Sequence, residues 1–349
     1  MKKIVFFLIA VPILICGFAA CSTDADAEAE KRYAPKIEMV NIPPAGTPTP
    51  YTFTMGSPVG EASAEIDKGE QPQRTVTLTK GFQMGKYEIT QREYKQVTGK
   101  NPSLFQGSEL MIGGVNILQG VDTGNLPVEQ VSWYEAVEYC NRLSELEGRT
   151  PAYTIDKNTR DVNNASANKN DPKWTVTLRS GSTGYRLPTE AQWEFACRAG
   201  TTTPYSIGIG TDITVTDANF NGVPYTPGAS AGTSLGRPAE VGSYAPNPWG
   251  LYDMHGNVYE LCWDRIWQPT PASPDVFQNY YEPAFGPANQ TDPMGLSRGD
   301  RRVERGGAWR HQASRLRSAY RERIQPQDIK YGNGDMGFRV VLPLEGNTW

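Results

Sequence analysis

Residues 305–341 read RGGAWRHQASRLRSAYRERIQPQDIKYGNGDMGFRVV, and no other stretch constrains the fold as much. Arg305-Gly306-Gly307-Ala308-Trp309 opens it, Leu316-Arg317-Ser318-Ala319 sits in its middle and Gly337-Phe338-Arg339-Val340-Val341 closes it. These three blocks have the character of scaffold. Gly306 and Gly307 suit tight turns, and Trp309 and Phe338 suit core plugs. Between the blocks stand Arg310, His311, Gln312, Arg315, Tyr320, Glu322, Ile324, Gln325, Gln327, Asp328, Lys330, Tyr331, Asn333 and Asp335. They mix every chemistry and follow neither a helical nor a strand period. A buried strand could not tolerate such a set, whereas a recognition surface could. The tyrosines, His311 and the arginines offer the aromatic and bidentate contacts that concentrate binding energy.

The chain has 349 residues, 38% of them hydrophobic, with 35 Gly and 27 Pro. That mix predicts a loop-rich globular fold with short elements rather than a helical bundle. A net charge of −4 argues against nucleic acid as the partner of the whole molecule. No internal repeat and no linker is evident after Lys36, so residues 36–349 read as one domain, with a variable region at about 305–341.

The first residues read as a targeting segment. Lys2 and Lys3 form a basic start, Ile4 to Ile15 is apolar, and Phe18-Ala19-Ala20-Cys21 has the form of a lipobox. The apolar run is too short to span a bilayer. Residues 1–20 are therefore expected to be a lipoprotein signal peptide. Cys21 would carry the lipid, and residues 21–35 would form a polar, acidic tether. The alternative is an ordinary secretory signal cut after Ala20. Acyl chains on Cys21 would hold the protein on a membrane, each buried methylene contributing about 0.8 kcal/mol. The expected location is the outer membrane or cell surface. Of the remaining cysteines, Cys140, Cys197 and Cys262 have apolar or aromatic neighbours, and an odd number cannot complete a disulfide framework. They read as small core residues.

Three capping boxes predict helix starts: Thr90-Gln91-Arg92-Glu93, Ser132-Trp133-Tyr134-Glu135 and Thr189-Glu190-Ala191-Gln192. The first helix ends at Gly99. The second carries a buried stripe of Trp133, Val137, Cys140 and Leu143. The third turns Trp193 and Ala196 inward, bears an exposed Glu194–Arg198 pair and stops at Gly200. Thr75 to Thr79 alternates strictly, as a half-buried strand does. Asp156 to Asp171 reads as a polar surface insertion. Thr201 to Pro248 and Gln268 to Arg302 read as long irregular stretches, uncommon unless functional or pinned.

Several long motifs, in order, resemble the formylglycine-generating-enzyme (sulfatase-modifying factor) family. They are Phe53-Thr54-Met55-Gly56-Ser57, Gly85 to Thr90, Pro127 to Trp133, Tyr185 to Glu194, Asn247 to Glu260, Arg305-Gly306-Gly307 and Gly337-Phe338-Arg339. The resemblance covers about residues 36 to 345. It implies an α+β fold, a loop-rich variant of the C-type lectin fold with little regular secondary structure. The family's oxidase uses two C-terminal cysteines to hold copper, and soft Cu(I) needs that thiolate pair. Here no cysteine stands between Arg305 and Trp349. The related sulfoxide-synthase branch uses three histidines for iron, and this chain has only His255 and His311. The expectation is a protein that is not an enzyme and requires no cofactor.

The segment 305–341 is also similar to the variable region of diversity-generating-retroelement proteins. Its frame of RGG-x-W, LRSA-x-R and GFRV matches theirs, with heterogeneous residues in the gaps. In that group, adenine-targeted copying rewrites chosen codons, many of them for Asn. Gln312, Glu322, Gln325, Gln327 and Lys330 would need other adenine-bearing template codons. The resemblance implies an unknown macromolecular or glycan ligand, bound without catalysis. The alternatives are a non-diversified envelope scaffold and, further off, a degenerate oxidase.

The same family resemblance implies a structural calcium ion held by the His255, Gly256 and Val258 carbonyls with Glu260, hard oxygen ligands that suit calcium. The alternative for Glu260 is a buried carboxylate paired with an arginine. A second family site matches at Asn219 and Phe220, but Thr233 stands where an Asp is expected. Residues Arg298 to Arg323 hold nine arginines against Asp300, Glu304 and Glu322. They could bind phosphate or nucleic acid, but the stronger reading makes Arg317, Arg321 and Arg339 scaffold residues that satisfy loop carbonyls.

Overall fold

Each capping box starts a helix. The computed structural model describes residues 34–61, 69–164, 166–225, 231–266, 289–328 and 334–349. Among them, α1 (Gln91–Thr98), α2 (Trp133–Leu146) and α3 (Glu190–Arg198) begin at Thr90, Ser132 and Thr189. In each, the cap hydroxyl accepts from the backbone N–H three residues on, and that residue's side chain accepts from the cap N–H. Two of the four open donors of each helix start are thereby satisfied.

The strands are short. The first seven are β1 (Met39–Ile42), β2 (Tyr51–Met55), β3 (Arg74–Leu78), β4 (Phe82–Gly85), β5 (Met111–Ile112), β6 (Val115–Asn116) and β7 (Tyr153–Arg160). The chain continues through β8 (Trp174–Leu178), β9 (Tyr259–Ile266), β10 (Asn289–Thr291), β11 (Arg301–Arg305), β12 (Glu322–Ile324), β13 (Met336–Gly337) and β14 (Val341–Pro343). They pair into small sheets ordered β1-β4-β14, β10-β3-β2 and β12-β11-β9-β13, with hairpins β5-β6 and β7-β8. β3 alternates buried and open positions, as its sequence predicts. β9 lies inside its sheet and is almost wholly buried.

The core gathers around two helices. The α2 stripe of Trp133, Val137, Cys140 and Leu143 packs with Ile89, Tyr94, Leu261, Phe338 and Val340. From α3, Trp193 and Ala196 pack with Met84, Met254, Cys262 and Val341. Cys140, Cys197 and Cys262 are free and buried. Residues Arg32–Trp349 form one compact unit.

Three expectations need correction. The Glu194–Arg198 pair is buried, not exposed: its carboxylate also accepts from the Gly56 N–H at 2.7 Å, so this face of α3 meets chain rather than water. The helix ends on Ala199, which adopts the left-handed conformation (φ 46°) and donates its N–H to the Phe195 carbonyl, with Gly200 following. The 156–171 insertion is partly ordered, because β7 and β8 pair across it and Asp161, Asn164 and Ser166 are buried. From α3 to β9, by contrast, the described residues contain no helix or strand, as expected for 201–248. Side chains pin that stretch: the Asn247 amide donates to Ala196 O at 2.8 Å, and Asp253 accepts from the Gly242 N–H at 2.7 Å.

Candidate ligand-binding face

The blocks that frame residues 310–335 are held from below. Arg305, Arg317 and Arg339 are wholly buried and Arg321 nearly so. Each meets a carboxylate as well as carbonyls. Arg339 donates to both oxygens of Glu260 at 2.6 Å and to the carbonyls of Gly85 (3.0 Å) and Tyr252 (2.9 Å). Arg317 donates to Glu70 at 2.6 and 3.0 Å and to Glu61 at 2.7 Å. Arg305 reaches Glu194 and Glu190 from one side and the carbonyls of Ser318 and Tyr320 from the other. The scaffold reading of these arginines therefore stands, with buried acids added to the expected carbonyls. Pairing and hydrogen bonding of this kind offset the cost of burying these charges.

The glycines act as expected. Gly306 and Gly307 take φ of 91° and 76°, and a Cβ on Gly307 would lie 2.6 Å from Leu316 Cδ1 and 2.7 Å from Arg315 O. Phe338 is fully buried. Trp309 is only half-buried: it stands edge-on to Phe105 and donates Nε1–H to Gly334 O at 2.8 Å.

The heterogeneous positions divide. Arg310, Gln312 and Asp328 are exposed, and His311, Arg315, Glu322, Gln325 and Gln327 are half-buried. Arg310 lies 3.9 Å from Asp335, Arg315 lies 3.7 Å from Glu322, and His311 packs on the Tyr259 ring at 5.0 Å. Tyr320, Ile324 and Asp335 are buried, which corrects their reading as displayed residues. Tyr320 packs with Tyr259 and Ala308, Ile324 joins the α2 core, and Asp335 O accepts the Tyr259 N–H at 2.8 Å. Lys330, Tyr331 and Asn333 lie outside the described residues, as does the lipobox with Cys21.

Fixed loops border these positions. Asn164, from the 156–171 insertion, donates to Gln327 Oε1 at 3.0 Å. The Asn221 N–H donates to His311 O, and the Ala313 N–H to Val223 O, both at 3.0 Å. Glu129 accepts from the N–H groups of Leu104 (3.0 Å) and Phe105 (2.9 Å) beneath Trp309. Burial, and then the nearby Asp335, push the Glu129 carboxyl up to about 7. Sequence reading missed Asn164 and Glu129, since their neighbours come from 163 and 24 positions away.

The Cys197 thiol lies 3.6 Å from His255 Nε2, but the pair is no nucleophile. His255 Nδ1 bonds Leu316 O at 2.7 Å, and Nε2 accepts from the Ser206 N–H at 3.1 Å. Burial pushes the thiol up to about 12 and the imidazole down to about 4, so both are neutral near pH 7.

The residues around Glu260 do not fit the implied calcium ion. Both carboxylate oxygens hold Arg339, and one also accepts Trp193 Nε1–H at 2.8 Å. A cation there would lie against a guanidinium. The carbonyls of His255, Gly256 and Val258 thus lack their carboxylate, and Glu260 takes the arginine-paired alternative. At the second position, the Asn219 amide N–H groups go to Arg237 O (3.0 Å) and Asn257 Oδ1 (3.1 Å) and its Oδ1 is buried without a partner among the described residues, but Thr233, where an acid is expected, is exposed. Among the described residues no three His, Cys, Asp or Glu side chains converge to hold a metal.

Residues 26–344 match the family model described as the sulfatase-modifying factor enzyme 1-like domain. The chain belongs to that family. It is 34% identical over 284 residues to the chaperone protein LppX of Paenibacillus barcinonensis, spanning 78% of this chain and 84% of that one. It is 29% identical over 280 residues to the formylglycine-generating enzyme of Thermomonospora curvata, spanning 74% of this chain and 80% of that enzyme. Among solved structures it is similar to Treponema denticola variable protein 1, with a TM-score of 0.62 and 28% identity over 88% of this chain and 95% of that one. The fold is thus the family's loop-rich α+β fold, and its likeness to a variable protein agrees with the frame of residues 305–341.

Proposed function

We propose that this family member is a lipid-anchored envelope protein that binds a ligand, without catalysis, through a diversified face. The observation that carries this reading is the contrast within residues 305–341. The framing blocks are cross-bonded and, apart from the half-buried Trp309, buried, while Arg310, His311, Gln312, Arg315, Glu322, Gln325, Gln327 and Asp328 are at least partly open. Such positions can change chemistry while the backbone beneath keeps its course, because surface substitutions usually cost within about 0.5 kcal/mol. The ligand is a macromolecule or glycan selected by this face. Cys21 supplies the anchor, at the outer membrane or cell surface, and binding draws on no metal or redox cofactor.

The deciding experiment is to sequence the DNA flanking the gene. The reading expects a near-copy of the codons for Arg305 to Arg339 beside a reverse-transcriptase gene, with mismatches at the adenines of the copy. Codons for Tyr320, Ile324 and Asp335 should differ less freely than the eight open ones. An identical 310–335 sequence in every isolate, with no copy nearby, would leave a fixed envelope scaffold instead.

A further inference from the structure

A second recess lies away from the variable positions. Residues from β3, β8, the first turn of α3, the segment after β10 and the C-terminal residues line a cavity of about 390 Å³. That size suits a small molecule. Its walls include Leu78, Leu178, Met294 and Pro343 on the apolar side.

The polar wall includes two buried donors. Arg186 is buried, with its guanidinium stacked 3.6 Å from the Trp349 ring. One nitrogen, Nη1, donates to Leu187 O at 2.8 Å. Among the described residues Nε and Nη2 have no acceptor and no carboxylate pairs with this arginine. Burial accordingly pulls its pKa down to about 10. Gln192, also more than nine-tenths buried, spends Oε1 on the Thr189 N–H at 3.1 Å and leaves Nε2 without a partner among the described residues. Lys80 and Arg179 are exposed at the same recess. Asp292, the acid on its wall, is already committed to the Thr79 N–H (2.9 Å) and hydroxyl (2.5 Å). A buried guanidinium with open N–H groups matches a carboxylate geometrically and electrostatically.

We infer that this recess binds a small amphiphilic carboxylate, its anionic end on Arg186 and Gln192 and its apolar body against Leu78, Leu178 and Met294. The carboxylate could belong to a free organic acid or to the C-terminus of a short apolar peptide. The site is independent of the diversified-face reading, and either can fail alone.

Arg186 is a poor target for mutation because its stacking also supports the fold. Gln192→Glu is better. A glutamate keeps the capping box with Thr189 but replaces the donor with a carboxylate that pairs with Arg186 and repels the ligand. Met294→Trp fills the recess from a partly exposed position. The probes are 3-phenylpropionate, its amide, and N-acetyl-leucyl-phenylalanine with a free carboxylate, titrated calorimetrically into the full chain. One or both acids should bind at least tenfold tighter than the amide, and the tighter acid names the source. Gln192→Glu and Met294→Trp should each weaken binding at least tenfold with an unchanged melting temperature. The inference is overturned if neither acid binds at 10 mM, if acid and amide bind alike, or if both folded variants bind as the parent does.

Discussion

Arg321 closes on Glu190 through two hydrogen bonds, Nε to Oε1 at 2.5 Å and Nη2 to Oε2 at 2.6 Å, with both side chains buried. The pair ties the middle of the variable segment to the first turn of α3. Removing Arg321 takes away both hydrogen bonds and leaves the buried Glu190 with Arg305 at 3.2 Å, so Arg321→Met should cost about 3 kcal/mol in urea denaturation. The double variant with Glu190→Gln should recover part of that loss. Burial raises the Glu190 carboxyl, but Arg321 and Arg305 outweigh it and hold it below the usual carboxylate range. Its contribution is therefore present above the unfolded pKa and lost as pH falls through the folded one. Arg321→Met should flatten that acid limb; a loss under about 1 kcal/mol would refute the anchoring role.

Glu129 titrates the other way. Its folded pKa of about 7 lies above the ordinary 4.5, so the native state keeps a proton that the unfolded chain has released. Stability falls as pH rises across that window and levels off above it. Denaturation midpoints from pH 5 to 8 should show this decline in the parent and a weaker one in Glu129→Gln. Parallel curves would show that Glu129 does not titrate there.

The variable positions should separate by burial. Arg310→Ala, Gln312→Ala and Asp328→Ala should each change stability by no more than about 0.5 kcal/mol. Tyr320→Ala and Ile324→Ala should cost about 2–5 kcal/mol, because each leaves a cavity under the segment. Equal effects in both groups would remove the distinction between displayed and structural positions.

Gly307 has no tolerable replacement. Alanine would have to adopt φ near 76° and place its Cβ within 2.7 Å of both Leu316 and the Arg315 carbonyl. Gly307→Ala should therefore lose more than about 1 kcal/mol, read as a lower melting temperature. Full stability would mean that the turn has another conformation open to it.

The thiols should be silent in the folded protein. Burial pushes all three upward, Cys197 to about 12. Iodoacetamide at pH 8 should label Cys140, Cys197 and Cys262 only after denaturation. Rapid native labelling of Cys197 would reveal an activated thiol and reopen the catalytic reading.

Local signals were readable wherever a residue's partners sit within a few positions. Thr90, Ser132 and Thr189 announced their helices because a capping box spans four residues. The Trp133–Leu143 stripe and the alternation of β3 were legible for the same reason. β11 was not: the stretch up to Arg302 reads as irregular, yet Arg301–Arg305 pairs as a strand in which Arg302, Glu304 and Arg305 are buried. Arg302 stacks 3.6 Å from the Trp133 ring, and Arg305 meets acids on α3. The same blindness made Glu194–Arg198 look exposed and Tyr320 look displayed.

The sequence by itself determined the helix starts, the glycine turns, the motif order that marks the family and the split of residues 305–341 into anchors and gaps. These depend on neighbours along the chain. Only the tertiary structure decided which gap residues face outward, that Glu260 holds Arg339 rather than standing open to a cation, and that Arg186 and Gln192 line a recess. Each of those outcomes rests on partners tens to hundreds of residues away, and a charge's meaning depends on whether such a partner stands within hydrogen-bonding distance.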